Sequence, residues 1–350
     1  MSDKAVSPLI ATVLVIGFAI ALSGIMMIWG TSFVKDIQER SEKSSLKDIA
    51  CTRDVGLNIK SATVLGNKIK LVIENLGQMD IDKFNILLVG SDGGDNIETG
   101  TGISAGGIQS FLIALDPNKI GTFKQVEAMP SITFEGEQIA CKDAVDKEEN
   151  LGMDTDGLVA YYKLDGDAKD SAGNNNGIIN GNPANVNGVF GSALNFDGVG
   201  DYVNLGTDPL LIGTQTALTV SVWVKPTVAP TYQHHILSNL RDCCGNYYGY
   251  GIFLYSGNTW YFKVGDGTNR QVTAVYAPDQ LNKWTHLLLT FDGTTLRGYK
   301  DGNLAGSTPS GNIQSSNNHL DIGKSGFFSN WLYFIGAIDE VKIYNKAKTY

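Results

Sequence analysis

No charged residue stands between Ala5 and Val34, and this run constrains the chain more than any other feature. As a helix at ~1.5 Å rise per residue it reaches ~45 Å, against ~30 Å of bilayer hydrocarbon. A secretory signal peptide is one competing reading, but its apolar core runs ~7–15 residues; a plain single-pass anchor is another. The run begins almost at once, after Met1-Ser2-Asp3-Lys4-Ala5, and is followed by polar sequence through Lys35, Asp36, Gln38, Glu39, Arg40, Glu42 and Lys43. Asp36/Arg40 and Glu39/Lys43 have the (i, i+4) spacing and orientation that support an exposed helix. The expectation is one long helix within residues 1–48, apolar first and water-soluble after.

Lys4-Ala5-Val6-Ser7-Pro8-Leu9-Ile10, with the apolar stretch that follows, resembles the N-terminus of archaeal type IV pilins. The resemblance covers about residues 1–45. It implies that a prepilin peptidase removes a short basic leader by cutting between Ala5 and Val6. It also implies a helix stored in the membrane, able to pack against other pilin subunits, with the later domains at the cell surface. The glutamate of bacterial type IV pilins is absent; Ser7-Pro8 stand there instead, as in the archaeal group. Charges on the two sides of the run are too balanced to orient it.

Over the whole chain, 41 glycines and 18% charged residues give the composition of short strands and tight turns. A net charge of −9 without any Lys/Arg cluster excludes nucleic acid as a partner. Residues 49–145 alternate at Lys68–Asn75 and Phe84–Val89, with further apolar stretches at Ser110–Leu115 and Ser131–Phe134 and Gly/Asn/Asp turns between. That spacing predicts a small all-β sandwich. The turn Ile73-Glu74-Asn75-Leu76-Gly77 resembles the globular domains of archaeal pilins and archaellins. Cys51 and Cys141 bracket the segment; outside the cell they are expected to form a disulfide, two free buried thiols being the alternative. Vicinal Cys243-Cys244 is left open. Residues 146–156 are polar, charged and aperiodic, and read as a linker.

Residues 157–350 carry strand phrases and glycine turns throughout, which suggests a two-sheet jelly roll. LVAYYKLDG at 158–166, DSAGNNNG at 170–177, GSALNFDGVGDYVNLG at 191–206, LTVSVWVKP at 218–226, KWTHLLLTFDG at 283–293, LRGYKDGNLAG at 296–306 and IGAIDEVKIYNKA at 335–347 resemble, in that order, a laminin-G-like, concanavalin A-type domain. The whole chain is therefore expected to be mainly β behind its helix. Trp223, Trp284, Phe196, Tyr202 and Val222 are expected in the sandwich core. The strand at 337–344 is expected to pair with the opening one and bring Asp339 near Asp165.

Relatives of this fold often carry a structural Ca²⁺, which takes six to eight oxygens. Asp165, Asp170, Asn174, Asp201 and Asp339 are the candidate ligands, against ordinary solvated turns with Asx hydrogen bonds. Tyr247, Tyr248, Tyr250 and Trp331 lie in aromatic-rich loops and are candidate contacts to a glycan or protein ligand, unless their rings cover the ends of the core. Glycosidases of related fold need two carboxylates, yet Glu340 is the sole glutamate after residue 151. His234, His235, His286 and His319 have no nucleophile context, and His286 reads as structural. A non-catalytic surface protein for adhesion or glycan recognition is the expectation; a purely structural filament subunit is the alternative.

Overall fold

A computed structural model describes residues 8–149, 151–243, 246–268, 270–275, 280–325 and 332–348. The leader junction Ala5–Val6, Cys244 and Trp331 lie outside the described residues. Pro8–Ile49 form one α-helix, carried by a π-helical turn at Ala50–Asp54 into the first β-domain. Counted over the described residues, no helix is long and apolar enough to cross a membrane; the helix sequence itself has no charge from Pro8 to Val34.

The helix end is fixed to the β-domain by three kinds of contact. Cys51 and Cys141 are disulfide-bonded with Cα atoms 5.1 Å apart, a closed loop whose entropy contributes roughly 4–5 kcal/mol. Lys47 pairs with Glu137 on the far hairpin. The Asp54 carbonyl accepts the Gln78 and Met79 amides at 2.8 and 3.1 Å. Gly77 must be glycine for that seat: a Cβ there would lie 2.4 Å from the Asp54 oxygen. Asn75, fully buried, holds the turn by donating to the Met79 carbonyl and accepting the Gly77 amide.

The first β-domain is the expected sandwich, of a four- and a five-stranded sheet. Lys68–Asn75 pairs with Leu57–Leu65 and Ile108–Ala114; Lys83–Gly90 pairs with Gly94–Glu98 and Phe123–Phe134. Alternation turns Ile69, Leu71 and Ile73 toward Phe84, Ile86 and Leu88, all fully buried. The presumed linker is not free. Asp146–Glu148 adds to Phe123–Phe134, and Gly152–Met153 runs parallel to Leu57–Leu65. The Asp146 carboxylate also accepts the Ile59 amide at 2.6 Å. Backbone groups pair whatever the polarity of their side chains, so aperiodic sequence concealed these two short strands.

The second β-domain is a jelly roll of two eight-stranded sheets. In the first, Ile335–Tyr344 lies between Ser192–Asp197 and Leu218–Pro226; Leu218–Pro226 continues to Thr285–Phe291, Thr295–Lys300 and Asn303–Pro309. The opening strand Leu158–Tyr162 pairs with Ile335–Tyr344 as expected. The second sheet runs Tyr202–Asn204, Asp321–Ile322, Gln233–Ser238, Asn246–Tyr255, Thr259–Asp266, Arg270–Val275. Val220, Val222 and Val224 of the first sheet meet Ile252, Leu254 and Phe262 of the second in one buried core.

The outer face of the first sheet is closed by the first β-domain, and this corrects two expectations. Trp223 and Trp284 are buried, but they point away from the jelly-roll core. They belong to the cluster that holds Leu115, Ile120, Phe123 and Val189. The Asn118 side chain reads the Trp284 backbone at both ends, accepting its amide at 2.7 Å and donating to its carbonyl at 2.9 Å. Thr122 Oγ1 donates to the Gly188 carbonyl and the Phe123 amide to the Val189 carbonyl, while the Phe123 and Phe190 rings pack 5.7 Å apart. Below, this sheet is called docked and the other distal. Phe196 and Val222 do sit in the jelly-roll core, whereas Tyr202 is half-buried on the distal sheet.

Asn118→Ala would leave the Trp284 amide and carbonyl without these partners. Unmade buried hydrogen bonds cost about 1–3 kcal/mol each, so the two β-domains are expected to unfold in two separate urea transitions in place of one. A single transition at the wild-type midpoint would contradict the docking described.

Candidate functional site

Four of the five candidate calcium ligands accept backbone amides. Asp165 accepts Ser192 N at 2.6 Å. Asp170 accepts the Tyr161, Ala172 and Asn175 amides. Asp201 accepts the Asn182 and Asp197 amides, and Asp339 those of Val189 and Phe190. Asn174 is exposed. Among the described residues no group of three or more His, Cys, Asp or Glu side chains could hold a metal ion. The four aspartates cap turns through these bonds.

On the docked sheet a polar network lies beneath the domain interface. A bulge between Ser221 and Trp223 opposes the stretch Asp339 to Lys342, and Glu340 within it has φ +55°. Glu340 Oε1 accepts the Tyr161 hydroxyl at 2.7 Å, and Oε2 accepts Lys342 Nζ at 2.6 Å. Burial, reinforced by the Glu340 charge, pushes the Tyr161 hydroxyl well above the usual phenol range. Burial first, then Glu340, raises the Asp339 carboxyl, one oxygen of which has no hydrogen-bond partner. His286 is 1% exposed; its Nε2 lies 2.8 Å from Ser221 Oγ and its ring 5.1 Å from Trp223. Burial, then the Lys342 charge, lowers its pKa to about 3. The imidazole is thus buried within the sheet and held by Ser221.

The distal sheet presents the other face of the jelly roll. Ile252, Leu254, Trp260, Phe262 and Val264 point into the core, so Phe253, Tyr255, Tyr261 and Lys263 lie on the opposite side of the sheet, where Phe253 and Lys263 are buried and Tyr255 and Tyr261 half-buried. Lys263 Nζ sits 4.6 Å over the Phe253 ring and 4.5 Å over that of Tyr255, whose hydroxyl it also bonds. Tyr255 packs on Tyr261 at 4.5 Å and on Tyr232 at 6.0 Å, and Tyr232 is 59% exposed. His235 meets Phe253 edge-on at 4.6 Å; among the described residues neither of its ring nitrogens has a hydrogen-bond partner, and burial lowers its pKa to about 3. Further across, Lys324 Nζ lies 4.1 Å over Tyr202, and burial raises the carboxyl of Asp321 to about 6.

The predicted aromatic contacts divide. Tyr250 is a core residue, 1% exposed, donating its hydroxyl to the Leu211 carbonyl, and so cannot contact a ligand. Tyr247 and Tyr248 are half-buried, Tyr248 beneath Arg241 at 5.7 Å. Sequence reasoning missed Tyr255, Tyr261 and Lys263. The signal was the alternation in GIFLYSGNTWYFKV, where Phe253, Tyr255, Tyr261 and Lys263 alternate with residues that fill the core.

A folded histidine pKa below the unfolded value near 6.5 means that the unfolded state binds the proton first as pH falls. The stability given by neutral His286 is therefore present above pH 6.5 and lost as pH falls toward 3, by about 1.4 kcal/mol per unit. His234 and His235 act in the same direction, while the raised Asp321 opposes them. Urea midpoints between pH 7 and pH 5 should fall less steeply in His286→Gln than in wild type; equal slopes would contradict a buried neutral ring.

Residues 197–350 match the laminin G-type family model described as concanavalin A-like lectin/glucanases superfamily. No curated protein matches the chain. Among solved structures, the chain is similar to domain 4 of an extracellular arabinanase from Geobacillus stearothermophilus, in complex with arabinotriose. The identity is 24%, covering 55% of this chain and 94% of that one, with a TM-score of 0.46. It is also similar to the receptor-binding domain of botulinum neurotoxin D, at 15% identity over 56% of this chain and 50% of that one, TM-score 0.43. A third likeness, to a mutant sialidase from Trypanosoma rangeli, has 13% identity over 82% of this chain and 50% of that one, TM-score 0.42. The chain thus spans half the length of the latter two structures. The fold reached from seven separated phrases and the matched family coincide in the C-terminal domain: a concanavalin A-like jelly roll.

Proposed function

We propose that the chain is a membrane-anchored, pilin-like surface protein that displays a non-catalytic jelly roll for recognition of glycans. The observation that carries this reading is the division of labour between the two sheets. One outer face is closed by the first β-domain through Trp223, Trp284 and Asn118. The other carries exposed Tyr232 with half-buried Tyr255 and Tyr261 grouped beside it. Aromatic faces stack on the apolar faces of sugar rings, and hydroxyl tips supply hydrogen bonds. The single glutamate after residue 151, Glu340, is engaged by Lys342 and Tyr161, which disfavours a paired-carboxylate hydrolase. The uncharged N-terminal helix sequence supports the anchor. Its exposed Val13, Ile16, Phe18, Met26 and Met27 suit lipid or neighbouring helices better than water.

Two measurements test the two halves. On a glycan array the full-length protein should bind a subset of oligosaccharides. Tyr255→Ala and Tyr261→Ala should each weaken that binding by roughly 1–2 kcal/mol, about 5- to 30-fold; no binding to any glycan would favour the purely structural subunit. Protein recovered from the membrane fraction should begin at Val6. An intact Met1 would indicate a plain anchor, and a start beyond Ser23 a removed signal peptide.

A further inference from the structure

A cavity of about 360 Å³ lies between the two β-domains, with Tyr161, Glu340 and Lys342 among its lining residues. We propose that it is a second binding site, distinct from the distal sheet, for a small neutral polyhydroxylated ligand of the size of one sugar ring. The volume is within the range of small-molecule pockets and equals about a dozen waters at their liquid share of ~30 Å³.

The floor is an unusual polar group for a domain seam: Glu340 holds the Tyr161 hydroxyl and Lys342, which also lies 4.6 Å over the Tyr161 ring. The Glu340–Lys342 pair has side-chain exposures of 4% and 9%, and a buried ion pair generally adds little stability over an apolar replacement. Glu340 is held at φ +55° within Ile335–Tyr344, a conformation that costs about 1–3 kcal/mol for a side chain of this size. The bulge opposite Ser221 and Trp223 puts both charges on the cavity. There a carboxylate with further lone pairs stands beside an ammonium with further donors. Each hydroxyl of a sugar both donates and accepts, so an adjacent acceptor and donor match a vicinal diol.

The remaining lining fits the same occupant. Phe123 and Phe190, tilted 5.7 Å apart, join Leu151 and Met153 in an apolar wall of the kind that packs on a sugar-ring face. At the rim Lys124 and Lys163 are balanced by Glu149 and Asp165, so the entrance has no net charge to select an anion or a cation. Because both domains line the cavity, a ligand in it would favour the docked arrangement.

The test uses the full-length protein in a detergent without a sugar headgroup, titrated calorimetrically with D-glucose, D-galactose, D-mannose and L-arabinose. At least one should bind with a Kd of order 1 mM, about −4 kcal/mol. Glu340→Gln should weaken that binding more than ten-fold. Leu151→Trp, which fills the cavity and leaves the ion pair in place, should abolish it; Tyr261→Ala on the distal sheet should leave it unchanged. Binding by none of the four sugars, binding that survives Leu151→Trp, or binding lost with Tyr261→Ala would overturn the proposal. The last result would still support recognition on the distal sheet.

Discussion

The arrangement depends on one contact: the docking of the first β-domain onto a sheet of the second. A jelly roll has two outer faces, and each must be solvated, covered or used. Here one is covered by a hydrophobic seam of Trp223, Trp284, Phe123 and Val189. The seam is given direction by Asn118, which hydrogen-bonds to the Trp284 backbone as a neighbouring strand would. Apolar burial supplies the attraction and these two bonds fix the register, since a slip of one residue would leave buried backbone groups unpaired. The short strands at Asp146–Glu148 and Gly152–Met153 tie the connection to the same body.

Docking gives the chain a polarity. The helix is joined to the first domain by the Cys51–Cys141 bridge and the Asp54 carbonyl, and the first domain covers the docked sheet. The distal sheet is left uncovered by the first domain, and Tyr232, Tyr255 and Tyr261 lie on it. The polar network of Tyr161, Glu340, Lys342 and His286 lies at the seam. Its histidine is held neutral by burial and its tyrosine protonated. The same seam borders the pocket for which a sugar ligand is proposed.

Much of the fold was legible in the sequence because alternation records which side chains are buried. Lys68–Asn75 and Phe84–Val89 became core strands, and the phrase at 335–347 paired with the opening strand as its position in the series implied. What periodicity does not record is the object that does the burying. Trp223 and Trp284 are hydrophobic, alternating and buried, all as read, yet the body that covers them is another domain. The linker was misread for the complementary reason: its side chains are polar, and its strands are made by backbone alone. The aspartates posed a third ambiguity. A carboxylate that caps a turn and one that binds calcium look alike in sequence; the amide donors on Asp165, Asp170, Asp201 and Asp339 become visible only in the fold.

Hydrogen exchange at two amides tests the docking most directly. Phe123 N–H bonds to the Val189 carbonyl and Trp284 N–H to the Asn118 side chain, both across the interface. In the full-length protein these amides should exchange about a thousand-fold or more slowly than exposed loop amides, because exchange requires the domains to part. Exchange of both as fast as in the exposed loops would mean that the two β-domains are independent bodies, and that the outer face of the docked sheet is open to solvent.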